Sequence, residues 1–447
     1  MNRILTALIV SLLVSTVLIS GTVVADEGPG AKDKPGRGGN GKTEGLSEME
    51  DFRTGQKGKM EGEVGVKQLP DQLPEELGII QLTDKLSGCK QPRFSPDGRK
   101  IAYMWDDSSN QEIWVMELAF AGGTVTVVDD YPVTDGEEQC AHLEGWSPDG
   151  KKILFRSWSE SEEDYNRLWI AKADGSGVYQ LKAGVGNDSC FGGSPSGAAQ
   201  ASYSPDGRKI VYTMGYRFWG NWIGKDIYVM DADGTDEVPL THTLGECEHA
   251  PRWSPYGSKI LYKKCYDNGN ADLWVMDADG RNRHVVVAGV NANFYGWDRS
   301  GSWIVYENEN LDSPSGYDRD IYKVRPDGSD ITRLTPSDEY CEHTPIWGPD
   351  GTILYRSDEL RVEDITGMSS TWVMDSNGDK KTMINPWGGM WHDWSPSGQW
   401  IVFQTCEPPS CDGDEQIFIM KNPLSKLRYS SSYPRLYPWW LRYVIGW

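Results

Sequence analysis

Four of the six histidines in this 447-residue chain share a setting. His142, His249 and His343 each follow a cysteine by two positions, in Cys140-Ala-His142, Cys247-Glu-His249 and Cys341-Glu-His343, and each stands six residues before Pro148, Pro255 or Pro349. His392 stands four residues before Pro396. Neutral imidazole is a common ligand of zinc, manganese and copper, so a ring of these four would suit a divalent metal ion. Imidazoles and thiols at repeated positions suit packing and hydrogen bonding equally well, and both readings stay open.

Aromatic residues form the second chemical set. The stretch GYRFWGNW from Gly215 reads as a Gly-rich loop presenting Phe218, Trp219 and Trp222, and Trp391 precedes His392. Rings on a polar rim suit stacking against sugar faces or holding cationic groups. Cysteines form the third set. Cys247 and Cys265 lie symmetrically about the Pro255–Gly257 turn, and Cys406 and Cys411 bracket Glu-Pro-Pro-Ser, so both pairs are disulfide candidates. Cys89, Cys140, Cys190 and Cys341 allow three connectivities. Nucleophile templates are missing: GSPSG at 193–197 places Pro195 where a nucleophile elbow needs serine.

These residues must be positioned by a repeat. An aromatic residue, a Ser-Pro-Asp-Gly turn or a variant of it, basic residues and an apolar alternation recur seven times. The copies are FSPDGRKIAY from Phe94, WSPDGKKILF from Trp146, YSPDGRKIVY from Tyr203, WSPYGSKILY from Trp253, WDRSGSWIVY from Trp297, WGPDGTILY from Trp347 and WSPSGQWIVF from Trp394. Successive spacings of 52, 57, 50, 44, 50 and 47 residues are those of a propeller or another repeat array. The turn followed by period-2 apolar residues predicts a hairpin, and IWVM from Ile113 or IYVM from Ile227 predicts a third strand. Asp-Ala-Asp-Gly turns lead to a shorter fourth strand, as in ITRLT from Ile331. The expected fold is all-β: a seven-bladed propeller of four-stranded antiparallel blades over 78–420. The last unit lacks a fourth strand, and GIIQLT, residues 78–83, resembles one, so an N-terminal strand is expected to close the ring.

This repeat resembles the TolB-like and tryptophan–aspartate-repeat-like propellers. The resemblance covers about residues 78–420 and implies the fold. Similar proteins include partner-binding proteins of the bacterial envelope, non-catalytic domains of serine peptidases, and metal-dependent oligogalacturonate lyases with propeller histidines as ligands. TolB itself carries six blades behind a small α/β domain, a pattern from which this chain departs.

The flanks have other compositions. Residues 1–25, with Arg3 before an apolar run from Ile4 to Val24, read as a signal peptide or an uncleaved anchor. Residues 26–77, rich in Gly, Lys, Glu and Pro, read as a disordered linker. Residues 421–447 form a basic aromatic tail, expected either to dock on the acidic propeller or to lie at a membrane interface. A net charge of −22 and a pI near 4.7 argue against nucleic acid and against polyanions. The expectation is an exported, monomeric propeller that binds an envelope or extracellular protein or glycan. The alternative is a metal-dependent polysaccharide lyase or hydrolase built on His142, His249, His343 and His392.

Overall fold

Each unit is organised by its turn. In the first three units the serine hydroxyl donates to the aspartate two residues on, Ser95 to Asp97, Ser147 to Asp149 and Ser204 to Asp206, at 2.6 Å each. The glycine N–H closes onto the serine carbonyl, and the serine oxygen accepts the N–H of Lys100, Lys152 or Lys209. Ser254 and Ser395 accept from Lys259 and Trp400 in the same way. The turn therefore fixes the register of the hairpin that follows.

The computed structural model describes residues 78–425 except 86–87, 108–110, 137–141, 158–165, 186–200, 219–220, 244–245, 267–269, 291, 310–318, 337–339, 360–368, 387, 390 and 406–414. The readings of residues 1–25 as a targeting segment and 26–77 as a linker lie outside the described residues, as does the tail beyond Ser425. No helix among the described residues is long and apolar enough to cross a membrane.

The protein is an all-β propeller of four-stranded antiparallel blades. In the first unit Gly88–Phe94 pairs with Lys100–Asp106, which pairs with Gln111–Ala121, which pairs with Thr124–Pro132. Seven separate sheets were expected, and hydrogen bonding divides the strands into five. Four sheets have four strands each. The fifth has twelve, because single bridges join the second, third and fourth units: Met214 to Val185, and Lys225 to Cys247. Those bridges arise where Lys209–Phe218 and Asn221–Asp231 run longer than the neighbouring strands.

The N-terminal strand does complete the last sheet. Ile80 and Gln81 pair with Ile419 and Phe418, and Thr83 Oγ1 accepts the N–H of Ile417 at 2.9 Å. The same bond recurs from Ile113 N–H to Thr134, Ile227 N–H to Thr241 and Ile321 N–H to Thr335, each threonine standing two residues past the end of the fourth strand. Residues 78–83 thus fill the position that the other units fill from within. Lys421 ends the last strand, and Asn422 is buried with its side chain donating to Gly398 O and Asp350 Oδ2.

Packing follows the repeat. Every unit sets an aromatic residue of its second strand opposite one of its third: Tyr103 with Trp114, Phe155 with Trp169, Tyr212 with Tyr228, Tyr262 with Trp274, Tyr306 with Tyr322, Tyr355 with Trp372 and Phe403 with Phe418. Each such pair contributes about 0.5–1.5 kcal/mol beyond its area burial. The core also crosses the seam, where Phe94, Ile101 and Tyr103 cluster with Val402, Ile417 and Ile419.

First strands touch one another in succession and so surround the axis. Leu143 N–H donates to Gln91 Oε1 at 3.0 Å, Ala201 N–H to Glu144 Oε2 at 3.4 Å, and Tyr295 OH to Ala250 O at 2.8 Å. Phe94 N–H donates to Asp393 Oδ2 at 2.9 Å, joining first unit to last. On the turn face, Gly98 (φ 71°) packs so closely that a Cβ there would stand 2.9 Å from Pro396.

Candidate binding site on the top face

First strands run from the end of the propeller called here the top face toward the Ser-Pro-Asp-Gly turns. Four of them show a register shift, one of them between Leu143 and Gly145, and the other three share one form. Register shifts after Lys90, His249 and His343, and Gln91, Ala250 and Thr344 have φ of 55°, 53° and 54°. Each of these residues precedes a proline. A non-glycine residue in this left-handed region costs on the order of 1 kcal/mol or more. Bonds between units offset that cost: Gln91 N–H donates to Gln404 Oε1 and Thr344 N–H to Glu307 Oε2, both at 2.9 Å. The bulges turn the strand ends, and the residues before them, toward the top face. Sequence reading passed over these bulges; their signal was the X-Pro step repeated ahead of the aromatic residue.

His142, His249, His343 and His392 all lie at or near first-strand starts, as their spacing predicts. Their partners differ. His142 Nδ1 accepts from Gln91 Nε2 at 3.1 Å, and His249 Nε2 lies 3.3 Å from Cys265 Sγ. His343 Nε2 donates to Asp358 Oδ2 at 2.9 Å. His392 Nε2 lies 3.1 Å from Thr344 O, and burial pushes this imidazole down to about 3. It is therefore neutral at physiological pH, and the carbonyl partner requires the proton on Nε2. Burial likewise lowers His249, with Lys225 and Lys263 adding to the effect.

His343 and His392 are neighbours, and other groups surround His249. His392 feels Arg93, Arg356 and His343, whereas His249 feels Lys225 and Lys263. Among the described residues no three His, Cys, Asp or Glu side chains converge to hold a metal.

Cys247 and Cys265 stand directly opposite each other across their hairpin, as the sequence predicts, but no disulfide joins them. Burial raises the thiols of Cys89 and Cys341 to about 11 each. Cys140, Cys190, Cys406 and Cys411 lie outside the described residues, and so does Trp219. The stretch read as a Gly-rich loop is the end of a β-hairpin: Phe218 pairs with Asn221 and Arg217 with Trp222. Alternating aromatic and β-forming residues carry the ladder as far as Phe218 and Asn221.

Where the sixth, seventh and first units meet, basic groups and an aromatic ring collect. The Arg93 guanidinium carbon is 5.8 Å from the centre of the half-buried Trp391 ring. Arg356 Nε bonds Asp358 Oδ1 at 2.9 Å. Burial would raise the Asp358 carboxyl, but His343 and Arg356 outweigh it and hold the group at about 2. Lys225, Arg252 and Lys263 are buried around the opposite pair of units. Buried acids, among them Glu144, Glu248 and Glu342, also stand on first strands. An arginine beside an indole suits a carboxylate carried on an apolar or sugar-like frame.

Four-stranded blades around an axis, with polar groups gathered at one end, define the class of protein as a β-propeller. Over residues 79–306, half of the chain, the sequence matches the TolB beta propeller domain, and the chain belongs to that family. It is 25% identical over 260 residues to the Tol-Pal system protein TolB of Francisella tularensis subsp. holarctica, covering 50% of this chain and 56% of that protein. It is 30% identical over 142 residues to the uncharacterized peptidase YuxL of Bacillus subtilis, covering 30% of this chain and 18% of that one. The chain therefore spans between 18% and 56% of the length of these curated relatives. In three dimensions it is similar to the oligogalacturonate lyase of Vibrio parahaemolyticus, with a TM-score of 0.56 at 14% identity, covering 77% of this chain and 93% of that one. That likeness concerns the fold.

Proposed function

We propose that the chain is an exported, seven-bladed binding propeller of the cell envelope that takes a carboxylate-bearing protein or glycan at its top face. The blade count rests on seven turns and seven first strands linked in succession, with the twelve-stranded sheet counted as three blades. An envelope setting is supported by the relative named for the Tol-Pal system and by the apolar run at residues 4–24. The observation that carries the ligand class is Arg93 beside Trp391 at the junction of the sixth, seventh and first units. Arg93 supplies charge, Trp391 a stacking surface, and Arg356 a second guanidinium. The neutral His392 holds the Thr344 bulge in place and is a positioning residue.

An array of acidic and neutral oligosaccharides and of peptides with free or amidated C-termini, probed with the full chain, tests this reading. Preferential capture of carboxylate-bearing probes supports it. Preference for neutral probes contradicts it, as does stoichiometric tightly held metal accompanied by cleavage of the acidic glycans, the outcome a lyase would give.

A further inference from the structure

A cavity of about 430 Å³ opens at the seam between the first and last units, on the side of the turns and away from the top face. Its walls include Phe120, Ala121 and Thr124 from the first unit and Trp400, Lys421 and Ser425 from the last. The first unit reaches this far because its outer hairpin is long: Gln111–Ala121 has 11 residues and Thr124–Pro132 has 9. Gly122 and Gly123, with φ of 59° and 84°, make its two-residue tip. The tip needs glycine for conformation, and it lies against the end of the Lys421 side chain, whose Nζ would stand 2.7 Å from a Cβ on Gly123. Phe120 packs on Trp400 with ring centres 5.4 Å apart, yet remains 40% exposed.

Ser425 is the last described residue, and it forms part of the cavity wall. The chain that follows therefore starts at the cavity mouth. Residues 426–447 contain Tyr429, Tyr433, Tyr437, Trp439, Trp440, Tyr443 and Trp447, four basic residues and no acid. Four extended residues reach up to about 14 Å, so Tyr429 lies within range of the cavity and Tyr433 more easily so. A cavity of this size falls at the lower end of the range that accepts a small apolar ligand.

We propose that the occupant is the chain's own segment 426–447, with the ring of Tyr429 or Tyr433 seated against Phe120 and Trp400. The segment's positive charge suits the acidic body, and its rings match an apolar wall left half open. Such docking would latch the last unit to the first a second time, beyond the two residue pairs that Ile80 and Gln81 supply. It is independent of the top-face ligand.

The test replaces Phe120 with the photoreactive p-benzoylphenylalanine in the full chain, irradiates it, and maps adducts by mass spectrometry. The expected product has monomer mass and joins position 120 to a peptide within 426–447. In Tyr429→Ala/Tyr433→Ala, with unchanged circular dichroism, its yield is expected to fall by about tenfold, the loss expected when a buried ring is removed. Adducts of dimer mass would assign the cavity to a second copy and overturn the proposal. A yield indifferent to the two tyrosines, or no adduct from folded protein, would overturn it too.

Discussion

The Asp358 carboxyl, held at about 2, stays ionised in the folded protein where an unfolded carboxyl takes up a proton. Its contribution, up to about 2 kcal/mol by linkage, is present above about pH 4 and lost as pH falls toward about 2. His392 titrates earlier. Its folded value of about 3 lies below that of a free imidazole, so on acidification the unfolded chain gains the proton first. Stability from this group is therefore full above about pH 6.5 and declines between about 6.5 and 3. His392→Gln keeps a donor for Thr344 O but gains no proton. Its thermal midpoint is expected to fall less than that of the parent between about pH 7 and about pH 4, and equal slopes would show that His392 is not the titrating group. The histidine positions were legible in the sequence because they recur at one offset. Their partners were not, since Asp358, Cys265, Gln91 and Thr344 reach them only through pairing and bulging.

At the scale of strands and turns, the bond from the third strand to the threonine past the fourth gives a direct test of how the ring closes. Thr83→Ala leaves the Ile417 N–H without its acceptor inside the last sheet. The expected loss is about 1–3 kcal/mol, read as a lower denaturation midpoint, and similar to that of Thr134→Ala within the first unit. No loss at Thr83 alone would mean that residues 78–83 do not serve as a fourth strand. Two turn glycines make a second comparison. Gly98 and Gly398 have nearly equal φ, 71° and 69°, but a Cβ would meet Pro396 at 2.9 Å in one case and Asp350 at 3.6 Å in the other. Gly98→Ala is expected to cost about 1 kcal/mol more than Gly398→Ala, because only the first adds a clash to the backbone strain. Hairpins, the aromatic alternation and the closing strand were legible because local chemistry dictates them. The merging of three units into one sheet was not, since single bridges between units leave no periodic trace.

For the whole molecule, composition misleads about the site. Sixty-six acidic against 44 basic residues predict repulsion of anions, yet the first strand of the first unit and the second strand of the sixth bring Arg93 and Arg356 to His392. Only ring closure brings these together, which is why a running tally of charge misses them. Binding of a carboxylate ligand is therefore expected to weaken as ionic strength rises, despite the like sign of the whole protein, because contacts within roughly a Debye length dominate. The most direct measurement is a titration of an acidic oligosaccharide, with its carboxyl-reduced counterpart as control, against the full chain, Arg93→Gln and Trp391→Ala. Tighter binding of the acidic form, with about tenfold loss in each folded variant, is the expected result. Equal affinity for both sugars, or unchanged affinity in both variants, would contradict the assignment of this face.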